Sequence, residues 1–356
     1  MKKIILLWIF IFLISGCYDY VELTDLSMIT TITIDKIDNN YLIAFEILNN
    51  EKKDTKSFTV KGEGATIPLA INNTFRSTPK QPYLAHLKAL IISEEVGKND
   101  LKEIIEYFLR SPNIRSEFFL LISKNNQAQD IFKARNDSLP IISSYLEKTI
   151  NQNINSSNNL NVKNFENILI DIFEKGKDTT IPVIRTSNDK IIMDGNALMN
   201  DFKLVSLIDY NDSLILNLLD GKVNNITYSL KCPDSNKELS LTIFESKTNY
   251  IIKKNKLYIN VNLNAEIDKY DCDKNLKEAS TINELNNHYS KDFEKKINMF
   301  YKLIKNNKTD VLGIGKLIYN KKRYYKEDDW LRINHKINVN FKINKEGLIF
   351  EVKNGN

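Results

Sequence analysis

From Ile259 to Asp268 the chain alternates without a break: Ile259, Val261, Leu263, Ala265 and Ile267 are apolar, while Asn260, Asn262, Asn264, Glu266 and Asp268 are polar. Successive side chains of a strand point to opposite faces, so this run predicts a strand with one dry face and one wet face. A helix would scatter the same residues around its circumference. The alternation returns at Ile333, Ile337, Val339, Phe341 and Ile343 against Asn334, Lys336, Asn338, Asn340 and Lys342. Leu348 to Val352 is placed to come back beside it across Lys345-Glu346-Gly347. Between the two runs, Leu285, Tyr289, Phe293, Ile297, Phe300, Tyr301 and Ile304 step by three or four residues and predict one long amphipathic helix. The simplest architecture is that helix lying on the dry face of an antiparallel-rich sheet.

The first half reads differently. Met28 to Asp35 and Tyr41 to Asn49 are β-rich runs joined by the polar turn Lys36 to Asn40, which predicts a hairpin. After Gly62-Glu63-Gly64, residues Ile67, Ala70, Ile71, Thr74 and Phe75 recur at helical spacing, with Pro68 in the first turn. Leu84 to Ser93 reads as a strand, and Asp100-Leu101-Lys102-Glu103 as a capped start of a helix carrying Leu101, Ile104, Ile105, Phe108 and Leu109. Glu117 to Ser123 is apolar on both faces, as a central strand would be. Helix, strand, helix, strand is the order of an α/β unit. A further helix is expected over Ser138 to Asn153 and a loop over Asn151 to Asn161. Strands follow at Asn196 to Met199 and Lys203 to Ile208, then a short helix near Leu214 to Leu219 ended by Gly221. The expected class is therefore α+β or mixed α/β, multidomain, with helices packed on mixed and antiparallel-rich sheets. We divide the chain into residues 1–16, an N-terminal α/β region 17–190 open to division into two subdomains, and a C-terminal α/β domain 191–353.

Residues 1–16 are set apart because Met1-Lys2-Lys3 is followed by an apolar run from Ile4 to Ile14 and then Ser15-Gly16-Cys17. The run is 11 residues. As a helix it would cover about 16 Å of a hydrocarbon layer about 30 Å thick, so it cannot span. A basic start, a short apolar centre and small residues before a cysteine are the parts of a lipoprotein export signal, with cleavage before Cys17 and lipid on its thiol. Acyl chains gain about 0.8 kcal/mol per buried methylene, so two or more of them tether the protein permanently. The body after Cys17 is then expected outside the cytoplasm. Losing Lys2 and Lys3 lowers the formal charge from +5 to +3. Such a balanced chain lacks the concentrated basic face that nucleic acid requires.

With Cys17 assigned to lipid, two cysteines remain, Cys232 and Cys272. In an oxidising compartment they either pair or stay as two unpaired thiols. Catalytic patterns are thin. His86, His288 and His335 lie far apart, and no metal spacing or nucleophile elbow is present. Gly313-Ile314-Gly315-Lys316 lacks the phosphate-loop pattern and reads as backbone accommodation at a helix-to-strand junction or similar bend. Asp328-Asp329 and Asp271-Cys272-Asp273 read as solvated carboxylates. Basic and aromatic residues mix at Lys321, Lys322, Arg323 and Tyr324, followed by Trp330. This group is a candidate partner or lipid-headgroup surface, against the simpler reading of a charged helix end with Trp330 in the core. No enzyme activity and no cofactor is expected.

The order of several blocks resembles the Ger(x)C family, the C-subunit lipoproteins of spore germinant receptors. After Cys17 these are Glu22 to Ser27 with Ile32 to Lys36, Gly62-Glu63-Gly64, Ala85 to Ile92, Phe108 to Arg115, Gly176-Lys177-Asp178 before Ile181-Pro182-Val183, and Asp310 to Tyr319 followed by Trp330. Tyr18 departs from the tryptophan usual there. The resemblance implies several α/β domains without known catalysis and a role in nutrient-triggered spore germination. It also implies a lipid-anchored place on the extracytoplasmic face of the inner spore membrane, with integral-membrane A and B subunits as partners. Only Cys17 carries over with a definite role. The rival reading is a solute-binding lipoprotein that delivers a small molecule to a transporter, which would need two similar α/β lobes around a cleft. A surface hydrolase ranks last.

Overall fold

The structure is a computed structural model that describes residues 22–49, 56–154, 160–221, 223, 225–233, 235–322, 326 and 328–344. Its first sheet has nine strands in the order β3-β2-β1-β5-β6-β7-β8-β9, with β4 beside β1. β1 (Leu26–Ile37) and β2 (Asn40–Asn49) form the expected hairpin. The turn is only Asp38-Asn39, and both residues have positive φ, 47° and 66°. That geometry matches the right-handed twist of the two strands, and Asp and Asn tolerate it best among residues with a side chain. β3 (Lys56–Gly64) adds to β2, and helix α1 (Ile67–Phe75) returns with Thr66 capping its start.

β4 (Gln81–Tyr83) is short, and β5 begins only at Ala89 (Ala89–Ser93), five residues later than the sequence suggests. α2 (Glu94–Asn99) and α3 (Leu101–Arg110) lead to β6 (Phe119–Ser123). The expected cap on α3 is not made. The Asp100 carboxylate instead pairs with Lys36 at 2.9 Å, a contact between distant segments that overrides the local one. β1, β5 and β6 are parallel and buried on both faces. Leu90, Ile92, Leu120 and Ile122 face α1, α2, α3 and a later helix, α5 (Phe165–Phe173), while Ala89, Ile91 and Leu121 face a 3-10 turn (Ala128–Ala134) and helix α4 (Ile142–Gln152). Continuous apolar strands are what two helix layers require.

α5 (Phe165–Phe173) crosses to β7 (Thr180–Ser187), and β8 (Lys190–Asn200) and β9 (Lys203–Ile208) complete the sheet. The 190/191 division drawn from sequence falls at the β7–β8 turn, and backbone pairing carries the first sheet on to Ile208. α6 (Tyr210–Asp220) then bridges the two halves. Its Leu214 to Leu219 pack with Leu198 of β8 and with the second sheet. Its last carbonyls accept from Ser246 (2.7 Å), Thr248 (3.0 Å) and Tyr250 (3.0 Å), and Gly221 closes it at φ +66°.

The second sheet is β10 (Ile226–Lys231), β11 (Glu238–Lys253), β12 (Lys256–Tyr270) and β13 (Asn334–Ile343) in that order. Helix α7 (Ala279–Asn306) covers its dry face with the seven residues picked out by periodicity. β13 pairs with β12 in parallel, so α7 also serves as the crossover, and Val261 lies opposite Val339 and Leu263 opposite Phe341. On the wet face Asn338 donates to Asn260 at 2.8 Å and Asn340 to Asn262 at 3.2 Å. α7 also closes the free edge of β13: Ser290 accepts from the Phe341 N–H at 3.0 Å and Asn286 from the Ile343 N–H at 2.9 Å. Helices make up 36% and strands 39% of the structure, arranged in two domains on mixed sheets. The predicted return strand at Leu348 to Val352 lies outside the described residues.

Candidate functional site

Two loops from opposite halves of the chain meet between the domains. One is Glu174 to Thr179, linking α5 to β7; the other is Asn307 to Gly313, linking α7 to α8 (Ile314–Lys322). The glycine pair Gly313 and Gly315 thus sits at a bend from one helix into the next, the second of the two placements read from sequence. A helix start leaves its first N–H groups unpaired unless something accepts from them. Here the carboxylate of Asp310 accepts from Ile314 at 2.9 Å and from Gly315 at 2.5 Å. The next N–H, that of Lys316, reaches across the boundary to the Gly176 carbonyl at 2.6 Å, and Leu317 closes back on Gly313 at 3.2 Å. The N-terminus of α8 is fully used and holds no vacancy for an anion.

The crossing is reinforced on both sides. Asp178 N–H donates to the Asp310 carbonyl at 3.0 Å, and Asp310 N–H returns to the Asp178 carboxylate at 2.6 Å. Thr309 donates to the Met199 carbonyl and Asn200 to the Lys308 carbonyl, both at 2.5 Å. Lys316 pairs with Glu174 at 2.9 Å, and Lys175 sits over the Tyr319 ring at 4.7 Å. Gly176, at φ +76°, permits the approach: a Cβ there would lie 2.5 Å from the Gly315 carbonyl carbon and 2.6 Å from the Lys316 nitrogen. Behind this contact Asp171 bridges Lys163 and Lys177, each at 2.6 Å. Burial acts to raise the Asp171 pKa, but the two ammonium groups outweigh it and hold the carboxyl below its usual range. Burial pushes the Lys163 pKa down.

Asp310 behaves oppositely to its neighbour. Burial raises its pKa to about 7, with the Asp178 carboxylate adding to the shift, against the lowering by N–H groups of Gly315, Ile314 and Gly313. Beside it a crevice of about 630 Å³ opens between the domains, edged by Phe173, Lys175, Asp201, Lys308, Asp328 and Trp330. The groups with fixed geometry here bond across the joint and tie the two domains together.

Of the residues singled out from sequence, Asp328 and Trp330 edge this crevice and Gly313, Gly315 and Lys316 lie in the joint, while the others lie elsewhere. Cys232 and Cys272 are disulfide-bonded, with Cα atoms 5.6 Å apart, and tie the end of β10 to the end of β12. Lys321 donates to the Ile252 carbonyl and Lys322 to Asn255 at 3.5 Å, both at the β11–β12 turn. Trp330 is 3% exposed and belongs to the core of the second domain, which removes it from the candidate headgroup surface. Its large apolar ring is taken up by that core instead of being presented to a partner or headgroup. Cys17, Arg323 and Tyr324 lie outside the described residues. His86 and His288 are exposed, and His335 contacts Asn298 at 2.9 Å. Asp271 and Asp273 pair with Lys269 and Lys237. Among the described residues no cluster of three His, Cys, Asp or Glu side chains is placed to hold a metal, and no helix is long and apolar enough to cross a membrane. The role of Asp310 was missed from sequence. Its only local signal is an acid three residues before a Gly-x-Gly that opens a helix.

Residues 19–186 match the family described as spore germination protein N-terminal domain, and residues 194–347 match spore germination B3/GerAC like, C-terminal. The chain belongs to the GerAC family of spore germination proteins. Within that family it is 24% identical to spore germination protein GerQC of Bacillus cereus, covering 98% of this chain and 99% of that one. It is 22% identical to spore germination protein KC of Bacillus subtilis (strain 168), covering 89% and 86%. The crystal structure of the GerBC protein shares the fold, with a TM-score of 0.54 at 16% identity over 88% of this chain and 96% of that one. The blocks Gly176-Lys177-Asp178 and Asp310 to Lys316, which carried part of the resemblance, are the two loops that bond across the domain boundary.

Proposed function

We propose that this GerAC-family chain is the lipid-anchored accessory (C) subunit of a nutrient germinant receptor. In this reading acylated Cys17 holds it at the extracytoplasmic face of the inner spore membrane, and its body docks to the integral-membrane A and B subunits. The observation that carries the proposal is the joint at Asp310. Polar groups that could have converged on a substrate instead lock one domain to the other, with Asp310, Asp178 and Gly176 satisfying each other and the start of α8. Domains bonded together in this way suit a subunit that stabilises or relays a change in its partners. The disulfide between Cys232 and Cys272 fits an oxidising location. The two sheets, one nine-stranded and mixed and the other four-stranded, are not the similar lobes of a solute-binding protein. Affinity isolation of the tagged chain from dormant-spore membranes tests the assignment. Co-isolation of the A and B subunits supports it; isolation of the chain without them refutes it.

A further inference from the structure

Strands β1, β5, β6 and β7 run parallel, and their register fixes one edge of the first sheet. Thr31 lies opposite Ala89, Ala89 opposite Phe119, and Ile122 opposite Val183, so the four strands enter the sheet from the same side. β8 comes back antiparallel with Leu198 opposite Thr180, which places the Asp201-Phe202 turn on that side too. α5 starts there: the Phe165 N–H donates to the Phe118 carbonyl at 2.8 Å and the two rings stack at 4.6 Å. The last turn of α3 arrives from the other flank, with Phe108 5.7 Å from Phe118.

Three large apolar side chains are left exposed along this edge. Ile170 and Phe173, one turn apart on α5, are 56% and 66% exposed, and Leu109 in the last turn of α3 is 49% exposed. Phe173 meets Phe202 of the β8–β9 turn edge-on at 6.1 Å, which continues the apolar surface. Arg115, Lys175, Lys203 and Lys308 are exposed nearby, but so are Glu117, Glu166 and Asp201. Charge is mixed, and apolar contact is what the surface offers. The same edge is where the chain enters the fold. β1 overhangs it, with Leu26 five residues before Thr31, and Glu22 precedes it. Cys17 is five residues before Glu22, a leash of at most about 18 Å.

We propose that this edge, formed by the end of α3, helix α5 and the β8–β9 turn, rests on the bilayer, with Leu109, Ile170 and Phe173 entering the headgroup layer. The inference rests on the reading that Cys17 is acylated, because a leash leaving from this edge turns these side chains toward the lipid. The anchored body then has a fixed orientation, with the interdomain crevice beside Phe173 close to the membrane surface. Burying these apolar side chains adds to the attachment that the acyl chains already supply and fixes the orientation of the body.

The test uses the full-length lipidated protein carrying Phe173→Cys labelled with an environment-sensitive fluorophore, on vesicles of phosphatidylethanolamine and phosphatidylglycerol. The acylated and disulfide-bonded cysteines do not take the label, and position 173 is exposed enough for the fold to tolerate it. Lys190→Cys, exposed at the opposite edge, is the comparison. The expected result is a blue shift and quenching by lipid-borne quencher at 173, retained at high salt, with no change at 190. An unshifted label at 173 on protein that floats with the vesicles overturns the inference and leaves the anchoring reading standing. A shift that appears only after A and B subunits are added also overturns it, since the edge would then dock protein. Protein that does not float at all overturns the anchoring reading and this inference together.

Discussion

Replacing Asp310 by Asn probes the joint through its pH dependence. Asp310 is buried between the domains, accepts from two helix N–H groups, and has its pKa raised from 3.8 to about 7. A raised carboxyl pKa means that the folded state keeps the proton over a range in which the unfolded chain has lost it. The contribution of Asp310 is therefore complete below the unfolded value, declines as pH rises, and is gone once pH passes the folded value. The interval is about three pH units at about 1.4 kcal/mol each, so close to 4 kcal/mol in total and about 3 kcal/mol of it between pH 5 and the folded pKa. Asp310→Asn keeps one acceptor oxygen and does not titrate. Subtracting its stability from that of the parent chain cancels the groups common to both. Urea or thermal unfolding of the two proteins from pH 5 to 8 should show the parent's relative stability falling by about 3 kcal/mol. A difference that is flat, or that grows with pH, would show that the helix N–H groups dominate and keep the carboxylate ionised, and the reasoning would fail.

Two further perturbations separate the joint from the rest of the fold. Gly176→Ala places a Cβ against backbone atoms of Gly315 and Lys316 at a positive φ, so it should cost upward of about 2 kcal/mol and expose the α7–α8 link to protease. Gly221→Ala, whose Cβ would meet only the Ser246 carbonyl oxygen at 3.6 Å, should cost about 1 kcal/mol in calorimetry; equal losses at the two sites would refute the close approach. The Cys232–Cys272 bond closes a loop with a separation of 40 residues, and on chain-entropy grounds its reduction should destabilise the second domain by about 4 kcal/mol. Melting with and without reductant checks this, and an unchanged transition would count against a stabilising bond.

Much of the fold was legible because its signals are local. The alternation at Ile259 to Ile267 needs only a two-residue period, and the seven apolar positions of α7 need only helical spacing, so both were found with their faces assigned. Gly221 ends α6 through its own backbone freedom. Local signals mislead where a distant residue competes: Asp100 has the sequence of a helix cap but pairs with Lys36. Trp330 lies in the second core, the simpler of the two readings its sequence setting allowed. Asn188 and Asp189 form a tight positive-φ turn inside the first sheet, a pairing that shows only once β7 and β8 are laid side by side. The joint was invisible for a further reason. Gly176 and Asp310 are separated by more than a hundred residues, and neither has a meaning until the other is placed beside it.

The central claim is that this GerAC-family chain works as a lipid-anchored body at a membrane, and the state of Cys17 tests it most directly. Intact and peptide mass spectrometry of the native protein from spore membranes should find an N-terminus at Cys17 carrying acyl chains. A native polypeptide that retains residues 1–16, or that starts at Cys17 with a free thiol, would contradict the account.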